Sequence, residues 1–153
     1  TYIRKLIHDI GKKIGCGAHM LELRRTKVGP FTEGNLYTLQ DLSDAYYYYK
    51  NDKNEKFLRK ILQPIENAVA HLPKVWIMDS TVNPLTHGMD LKIPGISKYH
   101  SNINKDDIVA MMTLKDELVA LGIAMMTSDE IDKNEKGIAI KVEKVFMQSG
   151  IYK

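Results

Sequence analysis

The first half of the chain has the hydrophobic spacing of amphipathic helices. Between residues 3 and 14, apolar side chains recur every three or four positions and cationic side chains occupy the other side. Gly15 and Gly17 end this pattern, and residues 19–28 are expected to form a strand. Thr38, followed three positions later by Asp41, predicts the start of a second long helix. This half is therefore expected to be mainly helical, with some strand.

After Pro73 the pattern changes to short β-type segments separated by turns. Four of them are strand-like: KVWIM, DIVAMMTL, ELVALGIAMM and GIAIKVEKVFM. Residues 79–88 are expected to form a short helix that Asp79 caps and Gly88 ends. Several short strands at near-regular spacing favour a small barrel. We therefore predict an α+β chain, with one domain at residues 1–70 and a small β-barrel domain at residues 71–153.

Composition changes this picture only slightly. The 153 residues carry 22 Lys and Arg against 19 acids, a net charge of +3, which permits nucleic-acid binding on a local basic face without requiring it. The single cysteine, Cys16, excludes an internal disulfide, and no Cys/His spacing is typical of zinc sites. No apolar run reaches the roughly 18 to 20 residues that span a bilayer. Neither a metal nor a membrane is expected, and an intracellular location fits best.

The pattern begins at the first residue, with no Met and no polar lead-in before it. We therefore expect the chain to be a part of something longer. Gly11, Gly15 and Gly17 have the wrong order for a dinucleotide-binding fingerprint and follow a helix where that fingerprint follows a strand. Nucleotide binding is not expected.

Two segments resemble a known enzyme family. The stretch TYIRKLIHDIGKKIGCGAHMLELRRTKVGPF is similar to the segment of TruB and dyskerin-type pseudouridine synthases that begins GTYIR and continues GxGAHxxxLRRxxVGPF. The second half, with LPKVWIMDSTVNPLTHGMDLKIPGI and then GIAIKVEKVFM, is similar to the PUA domain of the archaeal and eukaryotic branch. The resemblance implies the C-terminal remnant of a catalytic domain followed by a PUA RNA-binding domain.

Enzymes of this family flip a uridine out of RNA, break its glycosidic bond and rejoin the base through carbon, without a cofactor. The resemblance implies a synthase for rRNA and tRNA that uses a box H/ACA guide RNA, whose ACA end the PUA domain binds, with small H/ACA particle proteins as partners. Two alternatives stay open: a guide-free tRNA synthase of the TruB type, and a non-catalytic RNA-binding protein on the same scaffold. The expected location is the cytoplasm of an archaeon, or the nucleolus if the source is eukaryotic.

The same resemblance assigns catalytic roles to three residues. Arg4 would pair with the catalytic aspartate and keep it ionised, Tyr2 would shape the pocket, and Leu23 would pack near the flipped base. The aspartate lies in a GxLDP-like motif of the family, and no such motif occurs in these 153 residues. The chain alone is therefore expected to be inactive. Without the motif around it, an arginine such as Arg4 is an ordinary solvated residue.

The remaining candidates would contact RNA. Arg24 and Arg25 are either an RNA-facing pair or a charged strand edge that discourages aggregation. The segment GMDLKIPGI resembles the family's GADLxxPGI element, where glycines and backbone groups approach the RNA 3′ end. Met89 stands where the family has alanine, which puts a close backbone contact there in question. The candidates of this half are Gly88, Met89, Asp90, Leu91, Pro94, Gly95, Lys98 and His100, and each of the last two could also be an ordinary exposed residue.

Overall fold

A computed structural model describes residues 2–152, and the chain divides into two compact units, Thr1–Leu36 and Tyr37–Lys153. The first unit contains helix α1 (Ile3–Ile14) and the two-residue strands β1 (Lys27–Val28) and β2 (Phe31–Thr32). The second begins with helices α2 (Leu39–Asp52) and α3 (Lys56–Ile61). It continues with β3 (Lys74–Ile77), α4 (Asp79–Thr86), β4 (Leu91–Lys92), β5 (Ile96–Tyr99), β6 (Ile108–Met112), β7 (Leu118–Ala124), α5 (Ser128–Lys133) and β8 (Ile138–Val145).

Helix α1 ends where the chain turns back against it. Gly15 adopts a left-handed conformation, with φ of 85°, and its N–H donates to the carbonyls of Gly11 and Lys12. The N–H of Gly17 also donates to the Gly11 carbonyl. A Cβ on Gly11 would lie 2.2 Å from the Ala18 nitrogen, so only glycine allows this approach.

The strand expected at residues 19–28 is wrong for most of its length. Residues 19–26 are irregular, and only Lys27 and Val28 pair with β2. A strand needs a neighbour for its backbone N–H and C=O groups. Within the described part of the chain, no strand pairs with residues 19–26, and the Thr26 carbonyl accepts a single bond from the Glu33 N–H at the edge of the β1–β2 pair.

Helix α2 begins as the sequence predicts. The Thr38 hydroxyl accepts from the Asp41 N–H, and the Asp41 carboxylate accepts from the Thr38 N–H at 2.8 Å, which completes a capping box. The hydrogen bonds from the Thr38 side chain and then its backbone lower the pKa of Asp41. The four consecutive tyrosines from Tyr46 to Tyr49 are all exposed, and only Ala45 of this helix is buried.

The second half forms a six-stranded sheet in the order β4-β8-β7-β6-β3-β5, with antiparallel neighbours except for the parallel pair β3 and β6. Strands β4 and β5 lie at opposite edges, yet only the three residues Ile93–Gly95 separate them along the chain. Because three residues span at most about 10 Å, the sheet must curl until its two edge strands lie close together, which gives a nearly closed barrel. The small β-barrel prediction is confirmed, as are the four predicted strands. Helix α4 differs in detail, because Met78 is its N-cap and Asp79 lies in the first turn.

Side chains pack on both faces of this sheet. The barrel core contains fully buried residues of β3, α4, β4, β6, β7 and β8. A smaller outer cluster is formed by Val69, Ala110, Met112 and Leu118, with Trp76 packed against it. Glu66, in the 3₁₀ turn Ile65–Val69, accepts a hydrogen bond from the Leu118 N–H at 2.9 Å. The segment before Pro73 thus contributes to the packing of the sheet.

We expect Val69→Ala to lower the free energy of unfolding of the second unit by about 1 to 3 kcal/mol, because it removes two buried methyl groups and leaves a small cavity. Trp76 is the only tryptophan and lies in the same cluster, so urea unfolding followed by its fluorescence measures this unit. The matched control is Val28→Ala at an exposed valine of the first unit, which should leave the Trp76 transition unchanged. Equal midpoints for both variants would contradict the packing role of Val69.

Candidate nucleic-acid interface

Positive charge is concentrated at the start of the chain. Residues 1–36 carry seven Lys and Arg against three acids, whereas residues 37–153 carry 15 against 16. No arginine follows Arg59. The small net charge of the whole chain is therefore the sum of a basic first unit and a nearly neutral second unit. The second unit would have to bind an anion through a few individual cations. This distribution could have been obtained from the sequence by counting charge per segment.

The three residues predicted to be catalytic are exposed in the first unit. Tyr2 is the N-cap of α1, Arg4 lies in the first turn of the same helix, and Leu23 lies in the irregular segment before β1. Among residues 2–152, Arg4 forms neither a hydrogen bond to another side chain nor an ion pair. Its guanidinium can therefore donate hydrogen bonds to a carboxylate that lies outside this part of the chain.

The arginine pair after Leu23 is divided between two environments. The Arg24 Nε lies 2.5 Å from Glu33 Oε1, so this guanidinium is partly neutralised by an ion pair across the β1–β2 turn. Arg25 has no ion pair among the described residues and borders a shallow cavity of about 190 Å³ with Phe31 and Leu36. Arg25 is the more available of the two for a phosphate.

The segment Gly88–Gly95 runs from the end of α4 to the start of β5, and its residues differ in exposure and in contacts. Gly88 has φ of 83°, which favours glycine, and the Met89 side chain is 56% exposed. Leu91 is fully buried in the barrel core, so RNA could reach only its backbone. The Asp90 carboxylate accepts from the Val142 N–H at 2.9 Å and so fixes this segment to β8.

The end of this segment leaves no room for a side chain. A Cβ on Gly95 would lie 2.8 Å from the side chain of Thr81 in α4. Together with Pro84 and Met89, these residues line a cavity of about 190 Å³. The structure thus brings most of the predicted RNA-contacting residues of the barrel into one rigid turn beside α4, with Pro94 in its 3₁₀ portion.

Lys98 and His100 lie on a different surface, beside Trp76. The Lys98 ammonium is 4.4 Å from the centre of the Trp76 ring, and the His100 ring packs edge-on at 5.2 Å. The indole N–H donates to Asp116 at 2.6 Å. Sequence reasoning missed Trp76 and Asp116, because the two are 40 positions apart and no local pattern joins them.

Tyr99, between Lys98 and His100, holds β5 to α5. Its hydroxyl donates to the Asp132 carboxylate, and that hydrogen bond is the main reason that the pKa of Tyr99 rises from 10.0 to about 12. Burial and the negative charges of Asp132 and Asp129 act in the same direction. This contact fixes the strand that carries Lys98 and that ends just before His100.

Comparison with known proteins identifies two known domains in the chain. A profile described as the tRNA pseudouridylate synthase B C-terminal domain matches residues 4–70, and the PUA domain profile matches residues 73–146. The chain is 61% identical over 99% of its length to the probable tRNA pseudouridine synthase B of Pyrococcus furiosus, and 54% identical to that of Nanoarchaeum equitans. The chain therefore contains the C-terminal domain of tRNA pseudouridylate synthase B followed by a PUA domain. It spans 45% and 44% of the length of these two relatives, so it matches less than half of each TruB protein.

Two solved structures of H/ACA particles contain chains that resemble this one along almost its whole length. A chain in the crystal structure of the archaeal box H/ACA sRNP Nop10-Cbf5 complex is 57% identical, with a TM-score of 0.94 over 99% of this chain and 50% of that one. A chain in the structure of an H/ACA RNP bound to a substrate RNA containing 2′-deoxyuridine is 60% identical, with a TM-score of 0.91 over 100% and 49%. The family resemblance of both sequence segments is confirmed.

The domain boundary that the sequence predicts between residues 70 and 71 stays a prediction. The two family profiles leave residues 71–72 between them, whereas the compact units divide between residues 36 and 37.

Across residues 2–152, no three His, Cys, Asp or Glu side chains gather as a metal site. In the same range, no helix has the length and hydrophobicity that crossing a membrane requires.

We expect Tyr99→Phe to destabilise the second unit by about 1 kcal/mol or more at pH 7, because it removes a hydrogen bond to a carboxylate. Since the pKa of Tyr99 is raised on folding, this stabilisation is fully present below pH 10 and is lost as the pH rises through about 12. The difference between the two proteins should therefore shrink over that range when urea unfolding is followed by Trp76 fluorescence. Tyr46→Phe, at an exposed tyrosine, should show no difference at any pH. A gap that persists unchanged to pH 12 would argue against the Asp132 contact.

Proposed function

We propose that this chain is the RNA-binding C-terminal part of an archaeal pseudouridine synthase that selects its uridine with a box H/ACA guide RNA. The observation that carries the proposal is the match along 99% or more of the chain, at 57–61% identity, to chains of H/ACA ribonucleoprotein structures. The reaction is an isomerisation of uridine to pseudouridine in rRNA or tRNA. Uridine and pseudouridine have the same composition, because the C5 proton that is lost is balanced by a proton gained at N1, so the net reaction consumes no oxidant, reductant or group donor.

The catalytic contribution of this chain is proposed to be Arg4, with Tyr2 and Leu23 shaping the pocket. The Arg4 guanidinium is exposed and unpaired among residues 2–152, as a group must be if its carboxylate partner belongs to another part of the protein. An arginine at close range keeps a carboxylate ionised and oriented through two hydrogen bonds. The catalytic aspartate would lie outside this chain, which alone would be inactive.

The barrel is proposed to hold the ACA end of the guide RNA at the turn Gly88–Gly95. That turn is rigid, because Asp90 is bound to β8 and Gly95 is packed against Thr81. The partners would be the guide RNA, the substrate RNA and small H/ACA proteins, since the matched structures contain Nop10, Gar1 or a substrate RNA. The curated relatives are archaeal, and we propose the archaeal cytoplasm as the location.

A second candidate is a guide-free tRNA pseudouridine synthase. Two relatives, from Pyrococcus furiosus and Nanoarchaeum equitans, are named probable tRNA pseudouridine synthase B, which favours this candidate. The two candidates share the chemistry at Arg4 and differ in whether the barrel distinguishes an ACA sequence.

We expect the chain to bind a hairpin RNA that ends in ACA more tightly than the same hairpin with ACA scrambled, by about 1 to 3 kcal/mol. Fluorescence anisotropy at several salt concentrations measures this difference, because phosphate contacts respond to salt and base contacts respond to sequence. Met89→Ala should strengthen the ACA preference, because it introduces the alanine of the family's element and removes an exposed side chain from the turn. The control, Leu114→Ala, truncates an exposed apolar residue in the β6–β7 turn. Equal affinity for both hairpins would favour the guide-free candidate.

In the full-length parent enzyme, we expect Arg4→Lys to lower kcat by about a hundredfold or more, because lysine cannot form the two-point contact that positions a carboxylate. RNA affinity should stay within about twofold, since one positive charge is kept. The matched control is Arg59→Lys, which alters an exposed arginine paired with Glu55 in α3. Single-turnover pseudouridine formation measures the rate. An Arg4→Lys enzyme with unchanged kcat would exclude this role for Arg4.

A further inference from the structure

Trp76 organises a small cluster of charged side chains on the outer face of the barrel. The side chain pairs across β3 and β5 with Lys98, whose ammonium lies 4.4 Å from the ring centre. Asp116 accepts the indole N–H at 2.6 Å, which fixes the orientation of the ring. His100 packs edge-on against the same ring at 5.2 Å. We call these four residues, Trp76, Lys98, His100 and Asp116, the tryptophan cluster.

The hydrogen-bond geometry of His100 determines which of its ring nitrogens faces outward with a proton. The Lys74 N–H lies 3.3 Å from His100 Nδ1, and a backbone N–H can only donate, so Nδ1 accepts. In the neutral ring, the proton is therefore on Nε2. Because His100 is exposed, this N–H is available to an acceptor from outside the chain.

The Lys98 ammonium is also positioned without being neutralised. Its neighbour in the structure is the π face of Trp76, which attracts a cation but carries no negative charge. Among residues 2–152, Lys98 forms no ion pair. Holding the ammonium over the ring reduces the side-chain freedom that an anion would otherwise have to restrict on binding. Lys98 and His100 thus present two ordered donors on one surface.

This surface differs from the turn Gly88–Gly95. Trp76 belongs to the outer cluster around Val69 and Met112, whereas Leu91 of the turn lies in the barrel core. The tryptophan cluster also offers no open stacking face, since Lys98 covers the ring and Asp116 holds its N–H edge. An extruded base would have to displace Lys98, while a phosphate oxygen could accept a hydrogen bond from Lys98 or from His100 without displacing either side chain.

We infer that the tryptophan cluster is a phosphate-binding site for the backbone of RNA, separate from the turn Gly88–Gly95 and indifferent to base sequence. The inference deepens the proposed function and rests on it, because it identifies which residues of the barrel bind the RNA backbone beyond the ACA end. A barrel with ten lysines, eleven acids and no arginine in residues 73–153 has little general attraction for RNA. Fixed donors of this kind supply that attraction locally.

The test is RNA binding by the 153-residue chain, with hairpins that carry or lack ACA. Lys98→Ala should weaken both hairpins equally, by about threefold to tenfold at low salt, and reduce the slope of log affinity against log salt by about 1. The matched control is Lys105→Ala, an exposed lysine of the same barrel, which should change neither quantity. The indole N–H signal of Trp76, the single tryptophan, should shift on addition of either hairpin. An unshifted signal, or Lys98→Ala binding equal to that of the control, overturns the inference.

A second variant distinguishes a loss of binding caused by misfolding from the loss of a phosphate contact. Asp116→Asn keeps an acceptor for the indole N–H and removes a negative charge, so it should bind both hairpins as tightly as the unaltered chain or more tightly. Weaker binding by Asp116→Asn, with the fold intact by circular dichroism, counts against a phosphate site.

The inference and the proposed function fail in different ways. If Lys98→Ala weakens both hairpins although neither is preferred, the phosphate site stands and the ACA function falls. If the ACA preference persists and Lys98→Ala has no effect, the function stands and the phosphate site falls. If the chain binds neither hairpin, both are overturned.

Discussion

The barrel depends on the three-residue connection Ile93–Gly95, which joins strands at opposite edges of the sheet. Its backbone is held on both sides, because the Ile93 N–H donates to the Gly137 carbonyl and the Gly95 carbonyl accepts from the Met78 N–H. Thr81 of α4 occupies the space that a side chain on Gly95 would need. The connection Ile93–Gly95 is the last part of the turn Gly88–Gly95, which is proposed to hold the RNA 3′ end. The backbone of this turn is therefore shaped by contacts within the barrel.

A similar dependence links the barrel to the segment before it. Val69 is buried against the outer face of the sheet, and Glu66 accepts the N–H of Leu118 at the start of β7. An unpaired backbone N–H at that position would be costly, and an uncovered outer face would expose Met112 and Leu118. A division of the chain at residue 70, although natural for the two sequence profiles, would remove contacts that the barrel uses.

The sequence predicted the elements whose signals are local. Alternating and three-to-four spacing located four strands and α1, and Thr38 with Asp41 located the start of α2. The strand prediction for residues 19–26 was wrong, because a high β propensity does not provide the partner strand that pairing requires. The roles of individual side chains also depended on distant partners: Asp90 belongs to a motif that the sequence shows, but its acceptor role towards Val142 spans 52 positions. Family resemblance located the candidate site, and only the structure separated exposed Met89 from buried Leu91.

The distribution of charge indicates how the two units could divide the work of holding RNA. Residues 1–36 have an excess of four positive charges, whereas residues 73–153 have one more acid than lysine. A basic segment attracts any polyanion, and its contribution falls with added salt. A nearly neutral barrel cannot act in that way, so its contacts must come from donors already in place, such as the rigid turn and the Lys98 ammonium over Trp76. The proposed discrimination between RNA ends would therefore fall to the barrel, where non-specific attraction would not mask the few contacts that read the sequence.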